Sequence, residues 1–231
     1  MKRLIAPTLI ALLLAAVVFM PSPKANAQAG LVSSIMSRLE KNRQSLKTLS
    51  ADISMDKYNS QLRDSDKFYG TVKYIPVSGK SAFVRLEWTK PQQEILAVAN
   101  GGYMLYRPRL NQVIYGNTGS VRSQKDSDVL ALLNMSAAQL RSRFGDLQDV
   151  RDETLWGGVS ATHFKATPKT AASYKYIEVW VDKEGMPVQT KMVEKNDDST
   201  TVRLTNVHKN EAIDRSIFDL KLDSNVKKVK G

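Results

Sequence analysis

The chain of 231 residues has no cysteine. That excludes disulfide bridges and a cysteine nucleophile. It also excludes a lipid anchor of the bacterial type, which needs a cysteine just behind the signal segment. Stability must come from the apolar core alone. Histidine is nearly as scarce, with only His163 and His208. His163 stands in a Thr-His-Phe strand pattern and His208 in Val-His-Lys at a strand end. Both read as ordinary sheet residues rather than general bases. The sequence has no His-Glu-x-x-His zinc pattern, no phosphate-binding glycine loop and no Gly-x-Ser-x-Gly elbow. Asp197-Asp198 and the Asp126/Asp128 pair could bind calcium weakly, but turn chemistry and a helix start explain them without metal. No catalytic residue, metal or cofactor is expected.

Acidic residues are in the minority, 23 against 34 basic ones, and the formal net charge is +11. Such a balance favours anionic surfaces, either lipid headgroups or acidic protein patches. The basic residues are scattered except for Lys227-Lys228-Val229-Lys230, where simple solubility is the plainer reading. Nucleic acid is not an expected partner. Long apolar runs are also missing, apart from Leu9 to Met20. That run is short of the ~20 residues a spanning helix needs. Lys2 and Arg3 precede it and Ala25-Asn26-Ala27 follows it, as in a secretory signal peptide. Residues 1–29 are therefore expected to be a signal, cleaved after Ala27 or Ala29; an uncleaved N-terminal anchor is the alternative. Loss of Lys2, Arg3 and Lys24 removes three charges from +11 and leaves +8. Residues 30–231 then form a single domain, large enough for a sizeable core. The expected product is a soluble, monomeric, periplasmic protein.

Periodicity organises this domain. Residues 31–47 read as an amphipathic helix, with Leu31, Ile35, Met36 and Leu39 at helical spacing. Ser50 to Tyr58 reads as extended, and Asn59 to Lys67 as a polar turn or wide loop. From Phe68 the period becomes two. Strands are expected at Gly70–Ile75 and Ser81–Trp88, the latter with Val84, Leu86 and Trp88 on one face and Phe83, Arg85 and Glu87 on the other. Asn100-Gly101 suits a type I′ turn, so residues 94–107 form a hairpin in which Glu94 opposes Arg107, Leu96 opposes Leu105 and Val98 opposes Tyr103. A Gly101-Gly102 turn would shift every partner. Gln112 to Tyr115 continues as a strand.

Asp126 to Asp149 reads as helical. Ser127 or Asp128 can cap a first helix, and Ser136-Ala-Ala-Gln139 has capping-box spacing for a second, ended by Gly145. Strands follow at 161–166, 175–182, 188–195 and 200–207. The whole is an α+β chain built as an antiparallel meander. Several strands are apolar on both faces. A curved sheet with a helical cover can enclose an apolar cavity, and a plain packed core fits the same pattern.

The order of motifs resembles the LolA family of periplasmic outer-membrane lipoprotein carriers. The motifs run from Ile35-Met-Ser-Arg-Leu39 and Leu49-Ser-Ala-Asp-Ile53 through Gly70-Thr-Val, Arg85-Leu-Glu-Trp88 and Lys90-Pro91 to Val98-Ala-Asn-Gly101. Leu105-Tyr106, Pro108 and Asn111-Gln-Val113 come next. Late in the chain stand Ile177-Glu-Val-Trp-Val-Asp182, Gly185-Met-Pro187, Asn210-Glu-Ala-Ile-Asp214 and Phe218. The resemblance implies an incomplete, strongly curved antiparallel β-barrel covered by helices. Its hollow would receive acyl chains of lipoproteins taken from an inner-membrane ABC exporter and passed to an outer-membrane acceptor. The missing cysteine places the chain on the carrier side, since the acceptor of similar fold is itself a lipoprotein.

On that reading Leu86, Trp88, Leu96, Val98, Tyr103 and Leu105 form the cavity wall. Leu130, Leu133, Leu140 and Phe144 form the underside of a lid. The family has an Arg-Pro pair after the early glycine-containing strand, where the arginine latches the lid. Here Ile75 precedes Pro76 instead. Arg85 or Lys80 is the possible substitute latch. Two other readings share the fold: a sensor-regulator of lipid or lipoprotein, and a carrier of a free lipid or glycolipid. Such regulators carry a second domain after the half-barrel, and this chain ends soon after Phe218.

Overall fold

A computed structural model describes residues 23–77, 82–118 and 135–231. Helix α1 (Pro23–Ser45) leads into β1 (Leu49–Asn59), β2 (Asp64–Ile75), β3 (Phe83–Lys90), β4 (Glu94–Ala99), β5 (Gly102–Arg107) and β6 (Gln112–Asn117). Helix α2 (Ala137–Arg143) precedes β7 (Gln148–Leu155), β8 (Val159–Ala166), β9 (Tyr174–Asp182), β10 (Pro187–Glu194) and β11 (Ser199–Lys209), and β12 (Lys227–Lys230) ends the chain. All twelve described strands belong to one sheet, in the order β12-β6-β5-β4-β3-β2-β1-β11-β10-β9-β8-β7. Two antiparallel meanders meet where β1 pairs with β11, and the outer strands β12 and β7 leave the sheet open. The architecture is the expected α+β half-barrel.

Local chemistry explains the elements. On β1, Leu49, Ala51, Ile53 and Met55 are buried at every second position. Asn100 and Gly101 take φ of 50° and 79°, and the register Val98 to Tyr103 and Leu96 to Leu105 is the one the Asn-Gly turn requires. Ser136 accepts from the Gln139 amide at 3.0 Å while the Gln139 side chain accepts from the Ser136 amide at 2.9 Å, closing the capping box of α2. Helix α1 buries Ile35, Met36, Leu39 and Asn42 against the sheet, with α2 beside it.

Several boundaries differ from the expectation. Helix α1 starts at Pro23, not residue 31. β2 begins at Asp64, so the polar stretch 64–67 is paired with β1 rather than looped. Strand β7 starts at Gln148, inside the stretch read as helical to Asp149. Its mixed charges, Asp149, Arg151, Asp152 and Glu153, gave no alternation to detect. β12 pairs parallel to β6 although Lys-Lys-Val-Lys reads as a solvated tail. The expected cap at Ser127 or Asp128 lies outside the described residues.

The core has two layers. The main one lies between the helices and the sheet face that carries Ile53, Val72, Leu86, Phe164, Ile177 and Leu204. A smaller one lies on the other face, where Ile75, Ala97 and Val113 are buried apart from the main cluster. There the 3₁₀ turn Arg215–Phe218 packs on β3 and β4, with the Phe218 ring 5.5 Å from Phe83.

Candidate functional site

Strand pairing decides which side chains share a face, since residues directly opposite project to the same side. Val72, Leu86, Leu96, Leu105 and Ile114 form one row across β2 to β6. Tyr74, Val84, Val98, Tyr103 and Gly116 form the next. Trp88 opposes Glu94 on the other side of the first row. All six residues proposed from the sequence therefore lie on one face, the face of the main core.

Their burial divides them. Leu86 is 3% exposed and Trp88 is also buried, both within the packed core, where Trp88 meets Phe68 edge-on at 5.9 Å. Leu96, Val98, Tyr103 and Leu105 are only half-buried, as are Val84 and Ile114. The result is a half-open apolar trough over β3 to β6, continuous with the core at Leu86. Tyr103 lies across Gly116: a Cβ on that glycine would sit 2.8 Å from the Tyr103 ring. Glu94 and Arg107 cross one end of the trough, paired at 2.9 Å.

Beneath the helices there is little empty space. Leu140 and Phe144 are buried, and Leu39, Met135, Leu140, Phe164, Ile177 and Val179 surround a void of ≈ 10 Å³. A void of that size holds about one water at most. Leu130 and Leu133 lie outside the described residues. A cleft of ≈ 590 Å³ between α1 and the β7–β8 hairpin is lined by Leu31, Arg38, Asp152, Glu153, Thr162 and Lys183, among others. Its charged walls do not suit an acyl chain. The strip of Leu96, Val98, Tyr103 and Leu105 is apolar where that cleft is charged.

Arg85 lies on the opposite face from Leu86, donating to the Ile217 carbonyl and paired with Glu87. Its described contacts tie the C-terminal turn to β3. Lys80 lies outside the described residues. Sequence reasoning missed Arg38, which fastens α1 to the sheet. Its guanidinium donates to the Asp182 carbonyl at 3.1 Å and to Thr162 Oγ1 at 3.0 Å, and Thr162 in turn donates to Asp152 at 2.8 Å. These partners are more than a hundred residues away, so no local signal marks the residue.

His163 is buried on the outer face, its ring 4.7 Å from that of Trp180 and tilted 48° to it, with Nδ1 3.0 Å from the Asp149 carbonyl oxygen. Around it, Arg151 holds the Asp149 carboxyl below its ordinary pKa. Burial pushes the Glu153 carboxyl up, but hydrogen bonds from Trp180 and Arg151 outweigh it and leave it lowered. Among the described residues no cluster of His, Asp or Glu could hold a metal ion. No described helix is long and apolar enough to cross a membrane.

Residues 44–221 match the family model of the outer membrane lipoprotein carrier protein LolA. The chain belongs to the LolA family. A comparison with curated proteins finds no match. Among solved structures, an uncharacterized conserved protein from Thermus thermophilus aligns with a TM-score of 0.55 at 12% identity, covering 86% of this chain and 98% of that one. MucB, in the Pseudomonas aeruginosa MucA/MucB complex, aligns with a TM-score of 0.52 at 14% identity over 82% of this chain and 61% of MucB. At these identities the two structures share the fold. The LolA family is one of lipoprotein carriers, and the LolA half-barrel is the frame on which the trough is built.

Proposed function

We propose that the chain is a periplasmic carrier that shields acyl chains of lipoproteins during transfer between membranes, exported by a cleaved signal within residues 1–29. The observation that carries this reading is the half-open trough of Leu96, Val98, Tyr103 and Leu105, which joins the packed core at Leu86 and Trp88. An acyl chain of ~16 carbons costs roughly 13 kcal/mol to expose to water, at ~0.8 kcal/mol per CH₂. A trough that replaces part of that contact makes an aqueous crossing feasible. Helix α2, with Leu140 and Phe144 and together with Leu130 and Leu133, acts as a lid whose outward movement extends the trough into the space the helices now fill. Donor and acceptor are an inner-membrane ABC exporter and an outer-membrane acceptor. No hydrolysis is needed, only an affinity lying between those of donor and acceptor. Free lipid is the alternative cargo.

Leu105→Glu places a charge on the half-buried part of the trough, where the fold tolerates it. Leu86→Glu is a poorer probe, because a charge among fully buried neighbours would unfold the sheet. In a fluorescent fatty-acid binding assay Leu105→Glu should weaken uptake about tenfold or more with an unchanged circular dichroism spectrum. Unaltered uptake would remove the trough as the site. A sensor role resting on a protein partner is the second reading, favoured by the likeness to MucB, a protein solved in complex with MucA.

A further inference from the structure

The antiparallel meander brings the β1–β2, β3–β4 and β5–β6 turns to one end of the sheet. Two of these turns present leucine to solvent. Leu62 is 76% exposed and Leu110 is 61% exposed, although both are apolar. Neither sits on a loose loop. The Asn59 side chain accepts from the amides of Gln61 and Leu62 at 3.0 and 2.8 Å, and Ser60 bonds Asp198. Leu110 ends a 3₁₀ turn closed by the Asn111 amide to the Pro108 carbonyl at 2.9 Å, and Asn111 also donates to the Asn225 carbonyl. The backbone therefore holds both leucines outward. Each has an exposed arginine next to it, Arg63 and Arg109, and exposed Lys90 and Lys227 lie at the same end. Asp64, Asp66 and Asp223 are exposed acids nearby in sequence, Asp197 of the β10–β11 turn at the same end is paired with Lys175, and Glu94 is paired with Arg107.

We propose that this rim docks the protein on an anionic bilayer, with Leu62 and Leu110 entering the headgroup–acyl boundary and the four cations meeting lipid phosphates. Three observations fit a bilayer. The two tips are four strands apart, roughly 19 Å along the sheet at ~4.8 Å per strand. A bilayer boundary is continuous and accepts side chains at that separation. Without the proposed signal the chain carries +8 net charge, complementary to anionic lipid. The apolar face also reaches this end: the Glu94–Arg107 row stands between the Leu86–Leu96–Leu105 row and the turns, one step of about 7 Å along each strand. Docking here would set this end of the apolar face against the membrane from which an acyl chain leaves, so the inference rests on the carrier reading.

The test is co-flotation with vesicles of phosphatidylglycerol and phosphatidylethanolamine, using secreted protein whose N-terminus is fixed by intact mass. Leu62→Ser combined with Leu110→Ser should weaken vesicle binding about tenfold or more. Arg63→Gln with Arg109→Gln should weaken it and reduce its salt dependence. Trp156→Ser, at an 86%-exposed position in the β7–β8 turn at the opposite end, should leave it unchanged. Full binding by the double leucine variant, or loss in Trp156→Ser instead, overturns the proposal. Fatty-acid uptake is measured separately without vesicles. Its absence in the unaltered protein would overturn the carrier reading, while vesicle binding still reports on the rim.

Discussion

Gly185 and Arg38 show how single residues hold the helical cover in place. Gly185 has φ of +89°, and a Cβ there would lie 2.0 Å from the Arg38 carbonyl oxygen. The β9–β10 turn thus touches the backbone of α1 directly, beside the point where the Arg38 guanidinium bonds Asp182 and Thr162. Gly185→Ala should cost roughly 1–3 kcal/mol through both strain and clash. A thermal melt reads this as a lowered Tm, and an unchanged Tm would show that α1 does not rest on this turn. Gly70 is similar in kind: its Cβ would meet the Glu87 carbonyl oxygen at 2.0 Å. Both glycines stand in the motifs that carried the family resemblance, so those motifs mark places where the backbone leaves no room. Arg38 was not legible, because its meaning lies in partners on β8 and β9. The opposite facing of Arg85 and Leu86, by contrast, follows from strand alternation alone.

Among the elements, α2 and β7 lead to separate predictions. Ser136→Ala removes one half of the capping box of a helix only 7 residues long. It should cost about 1 kcal/mol and, if α2 is the lid, should speed acyl uptake in stopped-flow measurements. β7 pairs with β8 and carries a network of charged side chains. Asp149 and Glu153 have folded-state pKa values below their ordinary ones, so they stabilise the native state above the unfolded carboxylate pKa. That contribution fades as pH falls from about 4 through the lowered folded values. The Tm should therefore hold level from neutral pH down to about 5 and drop below about 4, and Glu153→Gln should make the acid limb shallower. A melt independent of pH in that range would contradict this account of the edge. The hairpin 94–107 and the α2 cap were readable because Asn-Gly and Ser-x-x-Gln impose local geometry. β7 and β12 were not, because each is stabilised by the strand it joins rather than by its own pattern.

At the scale of the molecule, the open sheet solves two problems at once. Its inner face carries the main core under α1 and α2, and at β3 to β6 it continues as a half-buried trough. Its outer face is covered where the C-terminal turn seats Phe218 against Phe83, which lets Ala97 and Val113 be buried behind the trough. The strands that line the trough are thus supported from behind. The fold class followed from alternation and motif order. The division of the proposed wall into a packed part and an open part did not, since strand periodicity gives the face but not what covers it.

The central claim is that this face carries acyl chains. Native mass spectrometry with lipid extraction, applied to protein purified from the periplasm, tests it most directly. The account predicts co-purifying acylated protein or lipid that is lost in Leu105→Glu. A ligand-free mass for the unaltered protein, even after incubation with lipoproteins, would contradict it.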